Sequence, residues 1–313
     1  MEIGREIFWN VGGGARWLTY ALMVITLIVL YVGLKKRYSM WKFAKGKCAP
    51  FDFSKRLWER IGYFIENGIF HKSIMRESFP GTMHFFIFWG FLILAIGTAL
   101  VAFQDDIVRP FFKANILQGG FYLIFSAVLD AAGLVAIIGI VMDIWRRYVT
   151  NPSRLDNKTD DAITLVWILV VLITGFLVEG ARIASTRPDF EVWSFVGWIT
   201  SYLFLGLSPD GIKITHKFFW YLHMLISFGL IAYIAYSRLI HIVTSSLNMM
   251  FRGVEDTPRG AIAPIEDFAV GIPARLRSYA PSSLGFTDST SRYYTDKVVR
   301  RLTRDPFQVE KCN

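Results

Sequence analysis

The chain has 313 residues, 53% of them hydrophobic and 16% aromatic, with a formal net charge of +9. Several runs reach the roughly 18–25 apolar residues that a bilayer crossing needs, which excludes a soluble globular domain and argues against nucleic acid as the partner of the positive charge. The two cysteines, Cys48 and Cys312, have no ligand-spaced Cys or His, which excludes covalent haem and a cysteine-held iron–sulfur cluster and leaves any metal chemistry to five histidines.

The first apolar segment, 16–34, lacks a basic leader and a small-residue cleavage site and reads as a retained helix. The stretch 51–78 then alternates bulky apolar and basic residues at helical spacing, which suits an amphipathic helix lying on the membrane face. Four more apolar segments follow at 82–104, 119–143, 163–183 and 217–241. Each is expected to be a helix, because a lone strand cannot satisfy its backbone polar groups in lipid. The aromatic-rich stretch 189–206 is too short to cross and is expected along the membrane interface, between the fourth and fifth helices.

After Phe251 the chain turns polar, with Pro258, Pro264, Pro273 and a basic run at 297–304. This tail is too thin for a core; it reads as a partner-docking arm or as a disordered tail. The fold class is therefore all-α, an integral membrane five-helix bundle with an interfacial amphipathic helix and a C-terminal tail. The divisions are 1–50, the first crossing and a basic loop; 51–80, the interfacial segment; 81–250, a four-helix membrane core; and 251–313, the tail.

Charge placement sets the orientation. Lys and Arg number eleven in 35–79, four in 144–162 and ten in the tail, against eight on the opposite side. The reading is a multi-pass protein of the inner (cytoplasmic) membrane, with its N-terminus outside and its tail in the cytoplasm.

His223 and His241 are 18 residues apart in the last apolar segment. In a continuous helix that is five turns, so both share a face and stand roughly 27 Å apart along the axis. One falls near each membrane surface, an arrangement that suits bis-histidine haem stacked across a bundle. His84 begins the second crossing just after Pro80 and Gly81, at the same depth as His241, and is expected to pair with it around one iron. A lone histidine near a helix end is ordinarily an interfacial residue, but intramembrane ionisable groups at matching heights point to function.

The runs WYLHMLISFG (220–229) and YSRLIHI (236–242) resemble the last helix of the nitrate reductase gamma subunit, a diheme cytochrome b. MHFFIFWGF (83–91) is similar to its second helix, and RRY (146–148), NP (151–152) and DDAI (160–163) to its third connection. The wording PGTMHFFIFWGFLILAIGT (80–98) and TGFLVEGARIA (174–184) resembles another branch of that superfamily. That branch comprises membrane subunits of heterodisulfide reductase-related complexes and membrane domains of electron-transfer-flavoprotein:menaquinone oxidoreductases. The likeness covers about 50–250 and not the tail.

The resemblance implies haem b held by His84 and His241, with His223 carried over as a ligand of a second haem. It departs at the partner of His223, where the family's second-helix histidine is replaced by Leu94. Three readings stay open: one haem only, a second haem with an unusual ligand, or a rearranged 51–80 that brings His71 to a haem. The resemblance also implies menaquinone as quinone and, as partner, a cytoplasmic iron–sulfur subunit like the heterodisulfide reductase catalytic subunits. The chain is then an electron-transfer subunit rather than a complete enzyme. The alternative is a haem-free membrane anchor. A transporter is disfavoured, since no internal repeat is visible.

Asp130, in mid-crossing, is expected to be protonated, paired or functional; a proton role at a quinone site and a helix–helix hydrogen bond both fit. Glu179 and Arg182 are spaced to pair, or to polarise a quinone carbonyl together with Lys113. Arg238, just before His241, suits either a haem propionate or the membrane interface.

Overall fold

The computed structural model describes residues 3, 4, 6–44, 57–153 and 155–250, the side chains of 40–44 excepted. The fold is helical, with no strand among the described residues beyond one isolated bridge between Gly4 and Gln118. Among the described residues five helices are long and apolar enough to cross a membrane. They are α1 (Gly13–Ala44), α3 (Ser78–Phe103), α4 (Gly119–Ile144), α5 (Thr159–Thr186) and α7 (Pro209–Tyr233). Shorter helices are α2 (Leu57–Phe64), α6 (Phe195–Ser201) and α8 (His241–Met250). The chain is a multi-pass membrane protein. Side chains such as Ile28 (57% exposed) and Ile124 (61%) turn outward, as lipid-facing residues must.

Residues Met1–Met40 and Gly62–Met250 form one compact unit, which holds the crossings. A second unit comprises Trp41–Ile61 and Phe251–Asn313; of it only 41–44 and 57–61 are described, and both stretches are helical. The expected docking arm and residues 51–56 of the expected amphipathic helix lie outside the described residues.

Small residues set how closely the crossings approach. A Cβ on Gly90 would stand 2.7 Å from the Ala132 carbonyl oxygen and from the Ala136 methyl, so α3 and α4 touch almost backbone to backbone. α1 approaches the end of the last crossing in the same way, with Gly33 against Ala235 and Tyr236. Between them a core of Ala136 and Ile140 (α4), Leu165, Ile168 and Leu172 (α5) and Leu230 (α7) is sealed by Phe91 and Leu94 of α3.

Local chemistry fixes the helix ends. Ser208 Oγ accepts the Gly211 N–H at 3.1 Å and Pro209 follows, a cap plus proline that starts α7 eight residues before the apolar run suggested. α3 runs on as a wider helical turn through Phe112 and stops at Lys113, whose φ of 49° is left-handed. The last crossing is not continuous. After Tyr236 the backbone of Ser237 is extended (φ −111°, ψ −176°), and its Oγ accepts the Leu239 N–H at 3.2 Å, opening a new helical start. The 18-residue, five-turn relation between His223 and His241 therefore does not hold. Ser237 competes for the backbone and resets the phase between them.

Candidate functional site

At one end of the bundle three imidazoles gather. His84, on the first turns of α3, has its ring centroid 6.3 Å from that of His241, the first residue of α8. An imidazole nitrogen sits about 2 Å from a metal it binds, so two axial rings on one iron place their centroids about 6 Å apart. His71 completes the group, its ring 4.9 Å from His84 and 4.4 Å from Phe88.

The backbone explains how His71 arrives there. Leu57–Phe64 ends in a wide turn at Ile65–Ile69, and His71 then reverses the chain with φ at 56°, a left-handed conformation uncommon outside glycine. Its carbonyl accepts from the N–H groups of both Ile74 and Met75, and that turn sits on Gly81, where a Cβ would meet Ile74 O at 2.8 Å. The segment 51–78 is thus not one helix, and the rearrangement carries His71 to the N-terminus of α3. Met249 of α8 stands 3.2 Å from a Cβ built on Gly68 of the wide turn.

Ring nitrogens are set for ligation in two of the three. The Nδ1 of His71 is 2.9 Å from the Ile69 carbonyl and that of His241 is 2.9 Å from the Arg238 carbonyl. A backbone carbonyl at Nδ1 holds the proton there and leaves Nε2 for a metal. The Nδ1 of His84 is buried without a hydrogen-bond partner among the described residues. Leaving such an atom unsatisfied costs about 1–3 kcal/mol, a cost that a bound group would remove. No group of three or more His, Cys, Asp or Glu side chains among the described residues is arranged for a bare metal ion. A porphyrin brings four nitrogens of its own and asks the protein for two, and the donor set fits that demand.

The other expected residues are placed as follows. His223 lies midway along the α7 crossing rather than near its outer end, because that crossing starts at Pro209. It packs on α5: its Nδ1 is 3.0 Å from Thr174 Oγ1, and a Cβ on Gly175 would be 3.3 Å from its ring. No second imidazole stacks on it among the described residues, and Leu94, where the expected partner is absent, belongs to the apolar core. His216 is held near the start of α7 by Trp9 and Asn10. Arg238 pairs with Asp161 at 2.9 Å, and Asp161 also meets Arg147, 3.5 Å away, which is bound in turn to Asp143 at 3.0 Å. That network holds Arg238 away from a free propionate-binding role. Arg76 and Arg146 line an open pocket with Ser73, Glu77 and Pro80.

Lys113 is exposed, and among the described residues no ion pair joins it to Glu179 or Arg182, so that trio does not assemble. The reason is the helical extension of α3, which ends in a left-handed turn at Lys113. Arg182 pairs with Glu179 at 3.8 Å, as their spacing suggested, and more closely with an anion that sequence reasoning missed: Glu191, fully buried, at 2.6 Å. Tyr122 and Ser194 also donate to Glu191, at 2.9 and 3.1 Å. Burial pushes the Glu191 carboxyl up, but the hydrogen bond and charge of Arg182, with Tyr122 and Ser194, hold it below the usual glutamate range. Asp130 accepts from the backbone N–H groups of Val196 (2.6 Å) and Gly197 (3.1 Å) at the head of α6. The stretch 189–206 is therefore clamped to α4 and α5 by buried charge as well as by its aromatics.

The family model of the nitrate reductase gamma subunit matches residues 79–255, more than half of the chain. The chain is 33% identical over 281 residues to the EtfAB:quinone oxidoreductase of Syntrophomonas wolfei, covering 85% of this chain and 38% of that protein. It is 20% identical over 243 residues to the probable iron-sulfur-binding oxidoreductase FadF of Bacillus subtilis, covering 77% and 33%. With a dihydromethanophenazine:CoB–CoM heterodisulfide reductase subunit of Methanosarcina acetivorans it shares 26% over 255 residues, covering 73% and 89%. The chain spans between a third and two fifths of the length of the first two.

Proposed function

This chain belongs to the nitrate reductase gamma subunit family, and on that premise we propose that it is a membrane cytochrome b subunit carrying electrons between a quinone and an iron–sulfur oxidoreductase partner. The observation that carries this reading is the pair of rings on α3 and α8, His84 and His241, with centroids 6.3 Å apart. They are the residues that would hold haem b, with a third imidazole, His71, beside His84. Bound there, haem supplies one-electron redox chemistry. The chain's own part is to hold the His241 ring, and that of the neighbouring His71, by backbone carbonyls and to line the His71 and His84 side with Phe85 and Phe88. A second haem at His223 has no second imidazole to support it and is not part of the proposal.

The partner assignments come from relatives. One is named as a quinone oxidoreductase acting with EtfAB and another as iron-sulfur-binding, and the third is named for a heterodisulfide reductase. Menaquinone is the quinone that the resemblance favours. We place the histidine end at the cytoplasmic face, following the Lys and Arg distribution, so the partner docks there and the tail contributes to docking.

A reduced-minus-oxidised spectrum of the purified full chain tests this, with a soluble naphthoquinol as reductant. The expected result is a b-type alpha band that the quinol reduces. A spectrum without that band leaves the haem-free anchor, the competing reading, in its place.

A further inference from the structure

The third imidazole of the cluster, His71, is buried at 2% exposure and stands outside the ligand pair. Its ring neighbours all lie on α3: Phe88 at 4.4 Å, His84 at 4.9 Å and Phe85 at 6.1 Å between centroids. Among the described residues it makes no ring contact with His241.

Distance decides whether His71 can share an iron with His84. Two axial rings on one iron have centroids about 6 Å apart, so 4.9 Å leaves too little room for a metal between them. Two imidazoles joined by an N–H···N hydrogen bond, with nitrogens about 3 Å apart, have centroids roughly 5 Å apart. The observed spacing suits the hydrogen bond, and the 47° tilt between the planes excludes a stack.

The proton count agrees. The Nδ1 of His71 is 2.9 Å from the Ile69 carbonyl, which holds the proton there and makes Nε2 a lone-pair acceptor. Among the described residues nothing donates to that Nε2. His84 has the complementary deficit. Its Nδ1 is buried without a partner, and iron on its Nε2 leaves the ring proton on Nδ1. Phe85 and Phe88 bring no polar atom to the enclosure, so the two imidazoles have only each other. Rotation of an imidazole about χ2 is soft, so ligation can turn the His84 N–H onto His71.

We propose that His71 is a positioning residue for His84: its Nε2 accepts the Nδ1–H of the iron-bound ring, in a relay that ends on the Ile69 carbonyl. This rests on the haem site proposed above. An acceptor at Nδ1 fixes the ring's orientation and raises its basicity, which favours oxidised haem and lowers the midpoint potential. The left-handed backbone of His71, with φ at 56°, and the Ile69 carbonyl hold the acceptor in place. The turn before α3 thus acts on the potential without touching iron.

A redox titration of the purified full chain, followed at the alpha band, tests this together with electron paramagnetic resonance of the oxidised form. His71→Phe removes the acceptor and fills its place, so that water does not take over. His71→Gln carries an amide oxygen near the position of Nε2, under the same backbone strain. His71→Phe should weaken oxidised-haem binding about tenfold more than reduced-haem binding, an upward shift of about 59 mV, and His71→Gln should stay close to the wild type. Both should keep the low-spin resonance of two axial imidazoles. An unchanged potential in His71→Phe, or an equal rise in His71→Gln, overturns the proposal. A high-spin signal in His71→Phe makes His71 a ligand and overturns it as well.

If His71→Phe does not fold, His71→Asn takes its place. Asparagine tolerates the left-handed backbone, can still donate to the Ile69 carbonyl and is too short to reach His84, so the same upward shift is expected. A wild type without haem overturns the electron-transfer reading and this proposal with it. Haem bound at an unshifted potential overturns this proposal alone.

Discussion

Glu191 shows how a short polar contact secures a segment inside a membrane protein. It is buried, bound by Arg182, Tyr122 and Ser194, and sits on a stretch that sequence reasoning treated as an aromatic strip. Because its carboxyl is held below the usual glutamate range when folded, the contact contributes fully above the unfolded value of about 4.3 and is lost as pH falls through the folded one. Hydrogen exchange of amides 189–201 should accordingly be flat from pH 8 to about pH 5, after correction for intrinsic rates, and rise on further acidification. Glu191→Gln should remove that pH dependence and destabilise the chain by about 3 kcal/mol, since it leaves Arg182 buried beside a neutral amide. Protection that stays constant into strong acid would mean that Glu191 does not carry the docking. The sequence held a signal for this contact, an acidic residue next to a turn before an apolar helix. Nothing in its spacing pointed to Arg182, nine positions earlier, because the approach is made by tertiary packing.

Elements were legible where periodicity decides and illegible where a single side chain intervenes. The five crossings follow from apolar length alone, whereas the close contact of α3 with α4 at Gly90 is visible only in the structure. Gly90→Val should therefore push α3 off α4 and cost about 3 kcal/mol or more of overpacking, read as a lower unfolding temperature; a variant as stable as wild type would contradict that backbone approach. The break at Ser237 was invisible to a helical count, since serine mid-helix is unremarkable until its hydroxyl caps a new start. Ser237→Ala should cost about 1 kcal/mol of local stability, as other lost caps do, and should raise amide exchange at Leu239–His241 while the rest of α7 is unaffected. Exchange unchanged at those amides would show that the cap does not hold His241 in place. The approach of His71 was one of three readings left open by the sequence, and its backbone cause was hidden: it depends on a left-handed residue seated on Gly81, a local conformation that no apolar pattern encodes.

For the molecule as a whole, the two ends of the bundle divide the chemistry. Imidazoles gather at one end, and carboxyls paired with a buried arginine at the other. In the proposed orientation, which follows the Lys and Arg bias, Cys48 and Cys312 face the cytoplasm. A membrane-impermeant maleimide should label both in inverted vesicles and neither in right-side-out ones; labelling in right-side-out vesicles would reverse the topology. The candidate site was readable in outline, because His84 and His241 share a depth whatever the helix between His223 and His241 does. His71 was legible only as one of several alternatives, and the ion-pair network of Arg238 with Asp161, Arg147 and Asp143 was not.

Haem per chain, measured by pyridine haemochrome in the wild type and in His84→Ala and His241→Ala, tests the central claim most directly. The account predicts haem in the wild type and loss of the same haem in each variant. Unchanged haem content in His84→Ala would contradict it.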